Sequence, residues 1–271
     1  MQRTRGGFTI VEVLVVLAVG MIIFFSAVLL FAGKQGKTQF SQAMRDIESQ
    51  VQSIVNDVGV STFPEASAYS CTVQIDLGDP SLKPRPRLLD SDAATGTNTE
   101  CIFLGKAIFI DANDDSNTPD VFNIYTVLGR RADGTEVITS FDEANPESIT
   151  GPPSAVDLTE TYSIPFRAKV VKASEDVQPS SDTYLMGFYN SLQPAGSIAQ
   201  GSQSVITKGY PGINPGSKGN VKNSIRGILP SVPSKVWTIC FQSGTSNETA
   251  QLIVNSSSAG VTTEVKYTIC P

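Results

Sequence analysis

Three oxygen-bearing side chains at alternate positions form the best candidate metal site in this sequence. Asp111, Asn113 and Asp115 match the first three ligand positions of a calcium-binding loop, in which carboxylate and amide oxygens coordinate the ion. Ser116 stands where the sharp turn of such a loop needs glycine, and Phe122 stands where a bidentate glutamate belongs. The alternative is a solvated turn between two strands. We therefore expect no cofactor, with Ca²⁺ as the one candidate.

The residue types that dominate enzyme active sites are poorly represented. The sequence contains no histidine, which excludes Ser-His-Asp and Cys-His catalysis and histidine-based metal sites. It has no G-x-S-x-G, H-E-x-x-H or phosphate-loop motif. Paired carboxylates acting as in a glycosidase are the catalytic option that the sequence leaves open. We expect a protein that is not an enzyme.

Four cysteines are the remaining reactive side chains: Cys71, Cys101, Cys240 and Cys270. Their even number, and their position beyond an apolar N-terminal segment, favour disulfides, which form in oxidising compartments. The alternative is free or metal-binding thiols, but no C-x-x-C spacing is present. Of the three possible connectivities we favour Cys71–Cys101 with Cys240–Cys270, because each pair closes a loop within a local run of predicted strands.

A single carboxylate, Glu12, stands at the start of a long apolar segment. Residues 13–33 carry no charge, and residues 8–32 exceed the roughly 20 apolar residues that span a bilayer. A charge at the centre of a bilayer costs roughly 2.5–3.5 kcal/mol, so a carboxylate here needs a partner. The leader Met1–Gly7 is basic, and the positive-inside rule leaves it in the cytoplasm with the rest of the chain outside.

The run Gly7-Phe8-Thr9-Ile10-Val11-Glu12 resembles the processing site of type IV prepilins and of type II secretion pseudopilins. In that family a membrane-embedded prepilin peptidase cuts after the glycine, the new N-terminal residue is N-methylated, and a glutamate stands four residues further on. The resemblance implies cleavage between Gly7 and Phe8, methylation of Phe8, and pairing of Glu12 with the α-amine of a neighbouring subunit. Pilins also often place a disulfide near the C-terminus, where Cys240 and Cys270 lie.

By the same resemblance the chain is a pilin, a minor pilin or a pseudopilin, and its length favours a minor subunit. The implied partners are the prepilin peptidase, other pilin or pseudopilin subunits in a filament, the inner-membrane assembly platform, and membrane lipid before assembly. The implied location is a single-pass protein of the cytoplasmic membrane with an extracytoplasmic C-terminal domain, which becomes part of a pilus or pseudopilus at the cell surface.

Two other interpretations of the N-terminus are open. An uncleaved signal anchor would hold a surface adhesin or binding domain in the membrane. A cleaved secretory signal would have a shorter apolar core, of about 7–15 residues, before a small-residue cleavage site. The mature N-terminus distinguishes the three.

A second helical pattern follows the apolar segment. Apolar residues recur at steps of three and four, which predicts one buried face of a helix: Phe40, Ala43, Met44, Ile47, Val51, Ile54, Val55 and Val58. We divide the chain into a leader (1–7), a transmembrane and polymerisation helix (8–33), its amphipathic continuation (34–60) and a globular domain (61–271). The two helical segments together would span about 75 Å at 1.5 Å per residue.

Short apolar runs separated by turn residues predict antiparallel strands in the globular domain. The candidates are Cys71–Leu77, Ile102–Ile110, Val121–Leu128, Glu136–Phe141, Tyr162–Val171, Tyr184–Tyr189, Lys235–Phe241, Ala250–Val254 and Val261–Ile269. Two stretches predict loops, Asp142–Thr159 and Ser191–Asn223. The expected fold class is α+β, with one long N-terminal helix packed against an antiparallel β-rich domain.

Charge is unevenly distributed along the globular domain. Acids far outnumber bases from Leu88 to Glu160, whereas the segment from Thr183 to Asn247 has bases and no acid. Opposite-signed regions of this kind can meet across a filament interface. The alternative is a DNA-contacting surface, whose affinity would be strongly salt-dependent. Its candidate residues are Lys208, Lys218, Lys222 and Arg226.

Overall fold

A computed structural model describes residues 9–61, 69–75, 82–90, 100–113, 118–133, 136–152, 154, 156–192, 205–227, 229, 231–257 and 260–270. The helices are α1 (Ile10–Gly59) and α2 (Val221–Ile225), with 3-10 turns at Pro165–Arg167 and Pro215–Asn220. The strands are β1 (Tyr69–Ile75), β2 (Pro84–Asp90), β3 (Cys101–Asp111), β4 (Val121–Arg130), β5 (Ala132–Asp133), β6 (Glu136–Val137), β7 (Glu147–Ser148), β8 (Thr159–Ser163), β9 (Lys169–Glu175), β10 (Leu185–Asn190), β11 (Val205–Gly209), β12 (Val232–Pro233), β13 (Val236–Gln242), β14 (Thr249–Ser257) and β15 (Gly260–Lys266).

Helix α1 is one uninterrupted helix of 50 residues, about 75 Å long. It contains no proline, and it continues through Gly33 and Gly36 without a break. The glycine at position 36 has a packing role, because a Cβ there would lie 3.2 Å from the Thr245 hydroxyl. A side chain at that position would therefore push the loop before β14 away from the helix.

The second half of α1 is the spine of the core. All eight apolar residues predicted to share one helix face are buried, which confirms that pattern. This half contacts strands of both larger sheets, β3, β10 and β11 on one and β14 and β15 on the other. Burial of a row of this kind contributes roughly 25 cal/mol for each Å² of apolar surface removed from water. Helix and domain therefore share one hydrophobic core.

The described residues of the β-rich part form two larger sheets and two small hairpins, all with antiparallel pairing between named strands. The seven-stranded sheet has the order β12-β11-β10-β3-β4-β7, with β8 also paired to β4. The four-stranded sheet has the order β15-β14-β13-β9. The rings of Phe188 and Trp237 lie 6.5 Å apart and link the two sheets within the core. The α+β class with an antiparallel β-rich C-terminal domain is therefore confirmed.

A buried lysine ties α1 to the seven-stranded sheet. Lys106 on β3 is only 4% exposed, and its ammonium lies 3.0 Å from Asp57 of the helix and 3.0 Å from Glu160 of β8. Burial tends to lower the pKa of Lys106, but the hydrogen bonds and charges of the two carboxylates outweigh it, and the pKa is raised above its ordinary value. The lysine stays charged and holds the last turns of the helix against the sheet.

Several strand predictions need correction. The predicted strand Tyr162–Val171 is two strands, β8 and β9, because Pro165 starts a 3-10 turn with positive φ at the two residues that follow it. The predicted strand Glu136–Phe141 is reduced to β6, because the chain then turns inward and Phe141 packs against Tyr189 with ring centroids 4.3 Å apart. The predicted strand Val261–Ile269 ends at Lys266.

The predicted loops also contain regular structure. Asp142–Thr159 includes β7, which pairs with β4. Ser191–Asn223 includes β11, the turn at Pro215 and the start of α2, while its residues 193–204 lie outside the described residues. Strand β2 has no counterpart among the predicted strands, since prolines at 84 and 86 argue against a strand in the interior of a sheet. It pairs with β1 in a two-stranded sheet, where every strand is an edge.

The structure joins Cys71 to Cys101 and Cys240 to Cys270, the connectivity that we favoured from the sequence. The first bridge fastens the β1–β2 hairpin to the start of β3. The second fastens the C-terminal segment to β13. Loops of this size contribute on the order of 3–4 kcal/mol in the chain-entropy model.

The described residues include no helix that is both long enough and apolar enough to span a membrane.

Candidate functional site

The start of α1 carries the features that the sequence singled out for processing and assembly. Thr9 is the N-cap, and its hydroxyl accepts a hydrogen bond from the Glu12 backbone N–H at 3.3 Å. The Glu12 carboxylate accepts from the Thr9 backbone N–H at 2.9 Å and from the Thr9 hydroxyl at 2.9 Å. This is a capping box, in which two of the unpaired N–H groups at a helix start are satisfied reciprocally. Gly7 and Phe8 lie outside the described residues.

Sequence reasoning assigned Glu12 a role but gave none to Thr9. The signal was available, because threonine followed three residues later by glutamate just before an apolar run is the sequence pattern of a capping box. The pattern also explains why α1 begins at Ile10. A carboxylate in the first turn further stabilises the positive end of the helix dipole.

After the first turn, α1 carries exposed apolar side chains on all sides as far as residue 26. Every described side chain from residue 9 to residue 26 is exposed, and that of Ile10 is 81% exposed. The exposed set includes Val11, Leu14, Val16 and Phe25. A continuous apolar surface of this length on a single chain marks a region that other molecules cover. Only Glu12 interrupts it with a charge.

The candidate calcium loop is partly described. Asp111 lies 3.7 Å from the ammonium of Lys218, and Asp115 lies outside the described residues. The oxygens around Asn113 face a different cation, because the Lys169 ammonium donates to the Asn113 carbonyl at 3.3 Å and to the Asp120 carboxylate at 3.0 Å. Within the described part of the chain, no group of three or more His, Cys, Asp or Glu side chains could hold a metal ion. Calcium binding stays a prediction.

The four basic residues considered for DNA contact each lie beside an acid of the same chain. Lys208 pairs with Asp142 at 3.1 Å and lies over the ring of Phe141, and Lys218 pairs with Asp111. Lys222 and Arg226 both pair with Glu147, at 3.3 Å and 2.7 Å. The acidic and basic segments of the sequence thus meet within a single chain. Contact with DNA stays a prediction.

The pairing around Glu147 is a buried charge cluster that the sequence did not reveal. Glu147 is 3% exposed, and the Arg226 guanidinium donates to both of its oxygens, at 2.7 Å and 2.8 Å. The buried Arg85 lies 3.9 Å from the same carboxylate and donates to the backbone carbonyls of Pro146 and Arg226. The cluster joins the β1–β2 hairpin, β7 and α2. Arg85, Glu147 and Arg226 are far apart in the sequence, so no local sequence pattern predicts this cluster.

Comparison with known protein families finds a match at the N-terminus. Residues 2–28 match the family described as the prokaryotic N-terminal methylation motif, which is the signature of type IV pilins and pseudopilins. The matched segment contains Gly7, Phe8, the capping box and the exposed apolar residues described between positions 10 and 26 of α1. Neither the comparison with curated proteins nor the comparison with solved structures found a match.

Proposed function

We propose that the protein is a structural, non-catalytic subunit of a type IV pilus or of a type II secretion-like filament, as a pilin, minor pilin or pseudopilin. The observation that carries the proposal is the coincidence of the methylation motif with a helix start whose apolar side chains are exposed all round. A motif read by processing enzymes and a surface that needs covering occur together on residues 9–26. Filament assembly uses both.

Cleavage and methylation produce the amine with which Glu12 of another subunit pairs. Cleavage by the prepilin peptidase after Gly7 makes Phe8 the N-terminal residue, and N-methylation leaves its amine positively charged. The new ammonium stands one residue before the capping box. Opposite charges attract far more strongly in an apolar filament core than in water. Glu12 of one subunit then pairs with the Phe8 amine of the next and sets the axial register between them.

Assembly also covers the apolar side chains that are exposed on the single chain. Before assembly the segment around residues 8–33 is covered by lipid of the cytoplasmic membrane, and afterwards by the equivalent helices of neighbouring subunits held by the inner-membrane assembly platform. Covering a leucine- or valine-sized side chain contributes roughly 1.5–3 kcal/mol. Many such side chains together make the helix bundle the main source of filament stability.

The remainder of the chain is then the outward-facing domain of the subunit. Its two disulfides suit an extracytoplasmic location, where oxidising conditions maintain them. The second half of α1 belongs to the core of this domain, so force or movement at the filament axis reaches the domain through a rigid connection rather than through a linker.

The test is incorporation into filaments sheared from the cell surface. Glu12→Ala is expected to be cleaved normally and to be depleted in the sheared fraction, because the Phe8 amine of its neighbour loses its partner. Glu48→Ala removes a carboxylate from the polar face of the same helix and serves as the matched control, with incorporation expected to be unchanged. Normal incorporation of Glu12→Ala would contradict the proposal, and so would absence of the unmodified protein from every filament fraction.

A further inference from the structure

Helix α1 enters the globular domain between residues 33 and 40. Among the described residues of the helix, Phe40 is the first that is buried, and residues 13–33 carry no charge. The change from an uncharged segment to the folded domain therefore takes about seven residues, or about 10 Å of helix. Side chains of the domain around this point lie closest to whatever surrounds the uncharged segment.

Packing against the helix fixes which part of the domain lies at this level. A Cβ at Gly36 would lie 3.2 Å from the hydroxyl of Thr245, in the loop between β13 and β14. A Cβ at Gly244 of the same loop would lie 2.9 Å from the Cβ of Arg167, and the turn that ends in Arg167 also contacts α1. Position 36 is three residues, or about 4.5 Å, beyond the uncharged segment. Arg167 therefore stands close to the level at which that segment ends.

The turn displays two large side chains in a strained backbone conformation. The φ angles of Phe166 and Arg167 are 53° and 57°, in the left-handed region that bulky residues rarely adopt. Phe166 is 39% exposed and Arg167 is exposed as well, so burial of these side chains does not compensate the strain. Strained conformations of this kind cluster at sites that contact ligands. The turn is thus a candidate for contact with another molecule.

Three basic side chains lie around the point where the helix enters the domain. Lys34 and Lys37 of α1 are exposed, and the Lys37 side chain remains 70% exposed although it pairs with Glu248 at 3.1 Å. Lys34 and Arg167 have no carboxylate partner among the described residues. The whole chain carries a formal net charge of −6, so this basic group is opposite in sign to the protein as a whole.

A tyrosine adds a second aromatic ring beside the helix. The hydroxyl of Tyr267 lies 3.0 Å from that of Ser41 on α1, and the residue is 53% exposed. Exposed aromatic and basic side chains thus occur together around one short stretch of the helix. We call this group the helix-entry surface, and its members are Lys34, Lys37, Phe166, Arg167 and Tyr267.

The composition and the level of the helix-entry surface match the headgroup region of a bilayer. That region is roughly 5–8 Å deep on each side of an apolar core of about 30 Å, and Arg167 stands about 4.5 Å beyond the uncharged segment. Aromatic side chains such as that of Tyr267 favour this depth, and anionic phospholipids attract Lys and Arg. Direct continuity with an uncharged helix favours lipid over a protein partner.

We propose that the helix-entry surface docks on anionic phospholipid headgroups of the membrane that holds α1 before assembly. Arg167 and the two lysines pair with lipid phosphates, and the ring of Phe166 inserts among the headgroups. The contact holds the globular domain against the bilayer and breaks when the subunit enters a filament. This inference rests on the proposed function, because it requires α1 to be embedded in lipid.

Fluorescence of the full chain in vesicles tests the docking. Phe166→Trp introduces a reporter, because the one native tryptophan, Trp237, is buried. The vesicles are phosphatidylcholine with or without phosphatidylglycerol, and both contain a lipid with a spin-labelled headgroup that quenches nearby tryptophan. We expect strong quenching with phosphatidylglycerol and at least about twofold less without it. Raising the salt from about 0.1 M to about 1 M should also weaken quenching, because the screening length falls from about 10 Å to about 3 Å.

Each variant has a matched control at the other end of the four-stranded sheet. Val177→Trp places a reporter at an exposed apolar residue just beyond the far end of β9, about 20 Å from the start of that strand, and should show little quenching. Arg167→Gln, combined with Phe166→Trp, should lower the ratio of docked to undocked domain about fivefold. Lys235→Gln in the same background removes an exposed basic residue beside the far end of β13 and should leave quenching unchanged.

Flotation of the vesicles at high salt separates this inference from the proposed function, since it reports whether α1 is embedded. The docking is overturned if the chain floats with the vesicles but the reporter at position 166 is quenched no more than the one at position 177. Quenching that is insensitive to phosphatidylglycerol or to Arg167→Gln overturns it as well. All of these results leave the filament proposal intact. A chain that does not float contradicts the membrane stage of the proposed function, and the docking with it.

Discussion

Glu12 and Thr9 cap the start of α1 together, because the Glu12 carboxylate accepts two hydrogen bonds of 2.9 Å, from the Thr9 backbone N–H and from its hydroxyl. The glutamate expected to pair with a neighbouring subunit therefore already has a partner in its own chain. That intrachain contact fixes the orientation of the carboxylate. A carboxylate has about four lone-pair sites, so Glu12 can keep the cap and still accept from an incoming ammonium.

Glu12→Gln separates the capping role from the charge. The amide oxygen still accepts from Thr9, but the side chain offers no charge to the Phe8 amine. We expect normal cleavage and at least about tenfold less incorporation into filaments, since every 1.4 kcal/mol of lost pairing is tenfold in an equilibrium. Quantitative immunoblotting of sheared filaments measures it.

Thr9→Ala is the reciprocal change, because it removes the cap and keeps the carboxylate. An N-cap lost in this way costs about 0.5–2 kcal/mol of helix stability, and we expect incorporation close to that of the unmodified chain. If Glu12→Gln assembles normally while Thr9→Ala does not, Glu12 acts as a helix cap and the intersubunit pairing is wrong.

The ion pairs of Lys106 should contribute to the free energy of unfolding, because they join α1 to the seven-stranded sheet. Removing Asp57 or Glu160 alone leaves the buried ammonium one carboxylate, whereas Asp57→Asn combined with Glu160→Gln leaves it none. We expect the double variant to lose about 3–5 kcal/mol of unfolding free energy, more than the sum of the single changes. Lys106→Met is expected to cost less than the double variant, because a well-packed apolar side chain replaces the whole cluster. Additive losses in denaturant titrations would contradict this coupling.

Glu147 and Asp142 are both paired with a basic residue but differ in burial, so their removal should destabilise the fold by different amounts. Glu147→Gln removes the carboxylate that pairs with the buried Arg85 and Arg226, and we expect a loss of about 3–5 kcal/mol. The Asp142 side chain is 82% exposed, so Asp142→Asn should cost less than about 1 kcal/mol although it also breaks a pair with a lysine. Equal shifts in melting temperature for the two variants would be the contrary result.

The raised pKa of Glu175 leads to a prediction about how the stability of the fold depends on pH. Burial raises the pKa of Glu175, and a hydrogen bond from the Gln178 N–H offsets this only in part. The folded protein therefore binds this proton more tightly than the unfolded chain, and the group stabilises the fold most below the unfolded value of about 4.3. That contribution is lost as the pH rises through the raised folded value.

Glu175→Gln removes the buried charge, so the variant should melt at a higher temperature than the unmodified protein at pH 7. The difference should shrink towards zero as the pH falls to about 4, where the glutamate is protonated in both states. Thermal scans between pH 4 and pH 8 measure it. A difference that does not change with pH would contradict the assignment of a raised pKa.

The parts of the fold that were predictable from sequence are those with a local period. The apolar stripe from Phe40 to Val58 repeats every three to four residues, and every member is buried. Strands β3, β4, β10 and β13 are apolar runs bounded by turn residues, and their ends differ from the predicted ends by two residues or fewer. The spacing of apolar residues and the turn residues at the ends of a strand are local properties, so the sequence shows them directly.

The parts that were missed depend on the environment of an element rather than on its own pattern. Strand β2 contains two prolines and still pairs, because it belongs to a two-stranded sheet with free edges. Asn123 of β4 and Thr159 of β8 would each suit a solvent-facing strand, and only the pairing of β7 and β8 with β4 brings such residues together. The contact between Arg85 and Arg226 joins positions 141 residues apart.

The mass of the mature N-terminal peptide tests the central claim most directly. The protein is purified from cells that carry an active prepilin peptidase, digested, and its N-terminal peptide is analysed by tandem mass spectrometry. The filament account predicts a peptide that begins at Phe8, immediately after Gly7, and that carries one methyl group on its α-amine. A peptide that retains Met1, or one that begins beyond the apolar segment, would contradict it.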